Sequence, residues 1–136
     1  MSIALISKAI AIWAGILLLA IANGALREAV LIPKLGAPVG LVLSGILLSA
    51  LIVGVAYFSL PWLGTRRPSH LWGIGIGWLV LTLAFEFSFG RWQGKSWSTL
   101  FEAYTFRGGN LWPIVLLITA LAPTLAARLM RGLPGR

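Results

Sequence analysis

The sequence predicts an all-α integral membrane protein: a bundle of four transmembrane helices with one short amphipathic interfacial helix between the third and the fourth. Of the 136 residues, 59% are hydrophobic and only 10% are charged, and the apolar residues form four long charge-free runs. Soluble domains carry about 25% charged residues. This chain cannot cover its surface with polar groups, so lipid must surround much of it. We expect a single membrane domain over residues 1–136.

The charge-free runs have lengths of 18, 31, 18 and 20 residues, at positions 9–26, 35–65, 68–85 and 108–127. A transmembrane helix needs about 20 apolar residues, so each run can span the membrane once. The runs are continuous rather than alternating in polarity, which argues against the strands of a barrel. We predict spans over residues 6–27, 38–63, 70–90 and 110–128.

Residues near the ends of these runs support the assignment. Pro38 suits the first turn of the second span, and Asn110 is placed to cap the fourth. Ala20-Ile21-Ala22 also suits a signal-peptidase site, so a cleaved secretory signal is the alternative for the first run. Apolarity that continues to Leu26 favours a retained span.

Tryptophans and basic residues suggest where the membrane borders lie. Tryptophan is enriched at both membrane–water interfaces, and five tryptophans fall at the predicted borders: Trp62, Trp72, Trp92, Trp97 and Trp112. With four spans, the side of the two termini carries six of the eleven basic residues and none of the three acids. Because the count of Lys and Arg sets orientation, both termini are expected in the cytoplasm.

Small residues one helical turn apart favour close contact between helices in lipid. The residues predicted to pack in this way are Gly15, Gly45, Ser49, Gly73 and Gly77. Contact within one bundle is the favoured interpretation. The alternative is a seam for a homo-oligomer or for another membrane protein.

Polar and ionisable residues gather at the non-cytoplasmic ends of the first and third spans. The predicted binding residues are Asn23, Arg27, Glu28, Glu86, Arg91 and Lys95. A carboxylate such as Glu86, set among phenylalanines at membrane depth, costs about 2–3 kcal/mol unless it is paired or protonated. Arg27 is its first expected partner and Arg91 the second.

Three interpretations of this cluster stay open. The first is a structural salt bridge that fixes the first span to the third. The second is a polar pocket for an anion or a lipid head group. The third is a protonation switch at Glu86 in a transporter.

A short amphipathic helix is predicted over residues 97–106. Its apolar stripe has the spacing i, i+3, i+4 and i+7, formed by Trp97, Leu100, Phe101 and Tyr104. We expect this helix to lie in the membrane interface. A connector, a lid over the polar cluster and a docking surface for a partner protein are the alternatives for its role.

The composition argues against several classes of function. The chain has no cysteine, no aspartate and a single histidine, so neither a metal nor another cofactor is expected. The net charge of +8 comes from residues at the ends of the spans, which predicts membrane lipids rather than nucleic acid as partners. A non-catalytic protein is favoured over a lipid-modifying enzyme.

One stretch of the sequence resembles a known pattern. Residues Phe85–Arg91, Gly94-Lys95-Ser96-Trp97, Tyr104 and Gly109-Asn110-Leu111-Trp112 are similar to a pattern in small bacterial four-helix inner-membrane proteins of unassigned role. The resemblance implies a multi-pass protein of the bacterial inner (plasma) membrane. It implies no activity.

Two functional hypotheses follow from the sequence. The first is an accessory or scaffold subunit that associates through small-residue helix faces. The second is a small transporter or lipid- or anion-binding membrane protein that uses the Arg/Glu cluster.

Overall fold

The computed structural model of the chain describes residues 2–65, 67–102 and 111–131, apart from the side chains of residues 100–102 and 131. These residues form helices and no strand, and four of the helices are long and apolar enough to cross a membrane. The predicted all-α bundle is therefore confirmed. The helices are α1 (Ile3–Leu26), α2 (Ile32–Leu35), α3 (Ala37–Leu63), α4 (Pro68–Trp92), α5 (Trp97–Glu102) and α6 (Trp112–Arg131).

The first span is longer than the predicted 6–27. It begins at Ile3 and continues past α1 through a π-helical turn, Arg27–Leu31, into α2. Proline lacks an amide proton, and its ring clashes with the carbonyl one turn earlier. Pro33 therefore explains why the helix widens just before α2. Gly36, with a φ of 89°, ends this helix and begins the turn into α3.

The bounds of the other helices lie close to the predicted ones. α3 ends at Leu63 and is followed by Gly64, whose φ of 73° is the left-handed conformation common after helices. α4 extends two residues beyond the predicted 70–90 at each end. α5 covers the first part of the predicted interfacial helix. Outside the described residues lie the rest of that helix (103–106), the predicted cap Asn110, and three basic residues of the orientation count, Arg66, Arg107 and Arg136.

The packing centres on α6, which lies against α3 and α4, while α1 packs against α3 and touches α4. Glycines allow the two closest approaches. A Cβ atom on Gly75 of α4 would overlap the Ala120 carbonyl of α6, and one on Gly45 of α3 would lie 2.7 Å from the Leu111 Cβ atom. Such contacts stabilise helix pairs in lipid, where burial of apolar surface drives no association.

The predicted packing glycines are only partly the ones that pack. Gly45 makes a close contact, but a Cβ atom on Gly15 or Gly77 would meet nothing within 4 Å, so these two do not pack closely within the chain, and their packing role stays a prediction. On α4 the close contact is made by Gly75 instead. Gly75 lies two residues before Gly77, and residues two apart lie about 200° apart around a helix axis, so the two glycines face nearly opposite sides. Packing roles for Gly73 and Ser49, both half-buried, stay predictions.

Indole hydrogen bonds fasten α1 to α4. The Nε1 atom of Trp78 donates to the Ala9 carbonyl at 2.9 Å, and the Nε1 atom of Trp13 donates to the Thr82 hydroxyl at 3.1 Å. Following the predicted orientation, we call the end of the bundle near Gly64 the inner end and the opposite end the outer end. Both bonds lie on the inner side of the candidate site described next.

Candidate functional site

A cavity of about 430 Å³ lies between α1, α3, α4 and α6. Its deep wall is apolar and includes Ile16, Leu48, Ile52 and Val115, all of them buried. Pockets for small ligands typically measure about 300–1,000 Å³, and an apolar cavity of about 150 Å³ already admits benzene. This cavity can therefore hold a ligand of about three times the volume of benzene.

The outer end of the cavity is polar. It includes Gln93, Trp112 and five of the six predicted binding residues, namely Asn23, Arg27, Glu28, Glu86 and Lys95. The antiparallel packing of the spans places the last turns of α1 and α4 beside the first turn of α6. The cluster predicted from the sequence is therefore gathered around a single cavity. Arg91, the sixth predicted residue, does not line it.

Two residues at the polar end of the cavity were not among the predicted binding residues. Gln93 directly follows the last residue of α4 and lies seven positions after Glu86, a spacing that places both on one helix face, so the sequence carried a signal for it. Trp112 carried no such signal, because a tryptophan at the end of a span has the pattern of a membrane-interface residue. It is half-buried and lines the cavity.

Arg27 pairs with its neighbour Glu28 and not with Glu86. The Nε atom of Arg27 lies 3.3 Å from Glu28 Oε1, and the two side chains are 32% and 67% exposed. The predicted Arg27–Glu86 ion pair is wrong, although both residues line the cavity. An exposed ion pair of this kind contributes about 0–1 kcal/mol. The pair uses Nε alone, so the two terminal nitrogens of the guanidinium can donate to another acceptor.

Glu86 is bound to α6. Its Oε2 atom accepts a hydrogen bond from the Nε1 atom of Trp112 at 2.6 Å. Hydrogen bonds to a carboxylate are about twice as strong as those between neutral groups. This bond therefore stabilises the packing of α4 against α6 and lowers the cost of placing a carboxylate at this depth.

Asn23 carries a buried polar atom that has no protein partner. The side chain is 4% exposed, and its Oδ1 atom accepts a hydrogen bond from the Ser44 hydroxyl of α3. Its Nδ2 atom is buried and makes no hydrogen bond. If the amide were flipped, the unpaired atom would be Oδ1 instead, so one amide atom stays unpaired either way. Burying an unpaired polar group costs about 1–3 kcal/mol, which makes Asn23 a place where a ligand atom can bind.

Lys95 is placed at the cavity by the turn that ends α4. The Lys95 amide donates to the Gly90 carbonyl and the Gly94 amide to the Arg91 carbonyl, both at 3.0 Å, and Gly94 has a φ of 86°. This is a Schellman motif.

Arg91, by contrast, lies away from the cavity. Its guanidinium carbon is 5.0 Å from the centre of the Trp97 ring, and its Nη1 atom donates to the Lys95 carbonyl. Arg91 therefore links α4 to α5.

The remaining predicted interface residues lie on the surface. Trp62, Trp72, Trp92 and Trp97 are all exposed, and their position at the head groups stays a prediction. Among the residues that the structure describes, no group of three His, Cys, Asp or Glu residues could hold a metal ion. The site offers hydrogen-bond donors instead, from Arg27, Asn23 and Lys95. Such a set suits the oxygen atoms of an anionic group.

Comparison with known proteins does not identify a ligand for this cavity. No family model, no curated protein and no solved structure matches the chain. The function must therefore be argued from the cavity itself.

Proposed function

We propose that this multi-pass membrane protein is a non-catalytic binding protein for an amphipathic anion, held with its apolar part in the cavity and its anionic group at the outer end. The observation that carries the proposal is the unpaired amide nitrogen of Asn23, which lies with Arg27 and Lys95 at the polar end of an otherwise apolar cavity of about 430 Å³. A transporter would be the form of this function in which the bound ligand also crosses the membrane. The resemblance and the charge distribution support a bacterial inner membrane with cytoplasmic termini.

The free hydrogen-bond donors of the site favour an anion, while its formal charges balance, with Arg27 and Lys95 against Glu28 and Glu86. Glu86 is engaged by the indole of Trp112, and the exposed Glu28 holds only one of the three nitrogens of Arg27. The terminal nitrogens of a guanidinium match the spacing of carboxylate or phosphate oxygens and can bind them in pairs. Lys95 adds a point charge at the same end of the cavity.

Binding of dodecyl phosphate to the protein in a neutral maltoside detergent tests the proposal. We expect Arg27→Gln and Lys95→Gln each to raise the Kd about 10–100-fold, because a hydrogen bond to a charged group contributes about 1.5–3 kcal/mol. Lys34→Gln is the matched control, since Lys34 is exposed on the neighbouring α2 and does not line the cavity. Unchanged affinity in both cavity variants would refute the proposal.

A second candidate is the accessory or scaffold subunit predicted from the small residues. The observation in its favour is that no other helix of the chain packs against Gly15 or Gly77, so a helix of another chain could approach either glycine closely. If the side of α1 that carries Gly15 is an interface, Gly15→Leu should abolish association, measured by fluorescence energy transfer between labelled copies or between labelled partners. Ala14→Leu, at the exposed neighbouring position, should leave it unchanged, and equal behaviour of the two variants would contradict this candidate.

A further inference from the structure

We infer that the ligand of this cavity is a phosphate-bearing membrane lipid that inserts one acyl chain sideways, from the bilayer, between the outer halves of α1 and α4. The inference rests on the proposed function and names the source of the anion. It comes from the exposure of the residues that line the cavity and from the places where the helices are tied together.

The exposed residues of the cavity lining lie on α1, on α4 and in the segments just after these helices, whereas the lining residues of α3 and α6 are buried or half-buried. On α3 and α6, Leu48 is 4% exposed, Val115 2% and Thr119 2%. On α1 and α4, Ile21 is 55% exposed and Phe89 is 43% exposed, although both also line the cavity. The cavity is therefore closed at the back by α3 and α6, and its mouth lies between α1 and α4.

The hydrogen bonds between helices explain why the mouth lies there. In the outer half, Asn23 ties α1 to α3 through Ser44, and Glu86 ties α4 to α6 through Trp112. The side-chain bonds between α1 and α4 lie farther in and end at Thr82; among the described residues none joins these helices beyond it. In their outer halves, α1 is thus bonded to α3 and α4 is bonded to α6, but no side-chain hydrogen bond between described residues joins α1 to α4 there.

The surroundings of the mouth fit a lipid better than a solute from water. Ile21 and Phe89 are apolar, and they lie on spans whose exposed large side chains are mostly apolar, as expected of surfaces that face hydrocarbon. Arg27 and Lys95 lie at the outer end of the same opening, at the level expected for head groups. A lipid entering here keeps its chain in an apolar environment along the whole path and brings its phosphate to the cationic residues.

The size of the cavity fits one chain. By proportion to the volume that holds the six carbons of benzene, about 430 Å³ accommodates about 17 carbon atoms. A second chain of a diacyl lipid would stay in the bilayer outside the mouth. A free phosphate ion would bind only at the polar end and would make no contact with the apolar walls.

The absence of cysteine from the sequence makes the mouth testable by single-cysteine labelling. The portal variants are Ile21→Cys and Phe89→Cys, and the controls are Ala22→Cys and Ser88→Cys, which are exposed neighbours that do not line the cavity. Each variant is delipidated, labelled with a bulky maleimide and placed in phosphatidylcholine nanodiscs with a minor fraction of phosphatidylglycerol. Native mass spectrometry then measures the phosphatidylglycerol retained on the protein.

We expect one retained phosphatidylglycerol in the control variants and at least about a tenfold lower retention in the portal variants, equivalent to about 1.4 kcal/mol. Glycerophosphoglycerol, the head group without chains, should not displace the lipid. Displacement by glycerophosphoglycerol would overturn the lipid assignment, and equal retention in portal and control variants would overturn the lateral entry. If Arg27→Gln lowers retention in the same assay while the portal adducts do not, only this inference fails. If Arg27→Gln and Lys95→Gln both leave retention unchanged, the proposed function itself fails.

Discussion

Replacing Asn23 by leucine separates a binding role of its amide from a structural one. The substitution removes the hydrogen bond from Ser44 together with the buried amide atom that has no partner. A side-chain hydrogen bond between transmembrane helices contributes about 0.6 kcal/mol on average. An unpaired buried polar group costs about 1–3 kcal/mol. The cavity beside Asn23 gives the larger side chain room.

In the Asn23→Leu variant the buried Ser44 hydroxyl can donate instead to the Gly40 carbonyl one turn earlier in α3. The ligand-free variant should therefore be more stable than the unmodified protein, by about 0.4–2.4 kcal/mol on those two contributions. Its affinity for dodecyl phosphate should fall about tenfold or more, because a hydrogen bond to a charged group is lost. Unfolding by steric trapping in maltoside micelles without phospholipid measures the stability, and titration calorimetry measures the affinity. Ser44→Ala is the control that removes the hydrogen bond and keeps the amide.

The result that would refute the reasoning is a destabilised Asn23→Leu variant with unchanged affinity. It would mean that the whole amide of Asn23 serves the packing of α1 against α3 and that no ligand atom meets it. A stability gain combined with lost binding is the pattern expected of a binding site, where residues are kept for function at the expense of stability.

Two further pairs of substitutions, each a test and its control, probe the packing around the site. Gly75→Ala should destabilise the bundle by about 1–3 kcal/mol, because its methyl group would overlap the backbone of α6. Gly77→Ala, where the methyl group meets open space, should change stability by less than about 1 kcal/mol; similar effects at both positions would contradict the assigned contact. Trp112→Phe should cost about 1.5–3 kcal/mol through the lost hydrogen bond to Glu86, whereas Trp92→Phe, at a side chain that is 81% exposed, should cost little. Equal losses in the two tryptophan variants would exclude a stabilising role for the Trp112–Glu86 bond.

The helices themselves were predictable because the signal for a span is local. A run of about 20 residues without charge satisfies its backbone groups in lipid only as a helix, whatever its neighbours are. The end of the first helix was not predictable from that signal, because two adjacent charged residues such as Arg27 and Glu28 are typical of the border of a span. A helix continues through charged residues when these lie in a polar environment, and here they line the polar end of the cavity.

The members of the site could be predicted better than their pairing. Position along a helix axis follows from the sequence at about 1.5 Å per residue, so Asn23, Arg27 and Glu86 could be placed at one level. The rotation of each helix about its axis depends on all of its neighbours. For that reason the sequence could not show that Glu86 would meet Trp112 of α6, or that Arg27 would pair with Glu28.

A lateral opening also resolves an energetic difficulty posed by the cavity. In a closed protein interior, an unfilled volume costs about 24 cal/mol per Å³, so a cavity of about 430 Å³ would cost about 10 kcal/mol. That equals much of the total stability of a typical folded protein, about 5–15 kcal/mol. Water can fill the polar end beside Arg27 and Lys95, but it gains few hydrogen bonds against Ile16, Leu48 and Val115. An acyl chain from the bilayer supplies the missing contacts without leaving an apolar environment. An opening between α1 and α4 is therefore the arrangement in which these four spans can keep so large an apolar cavity and remain folded.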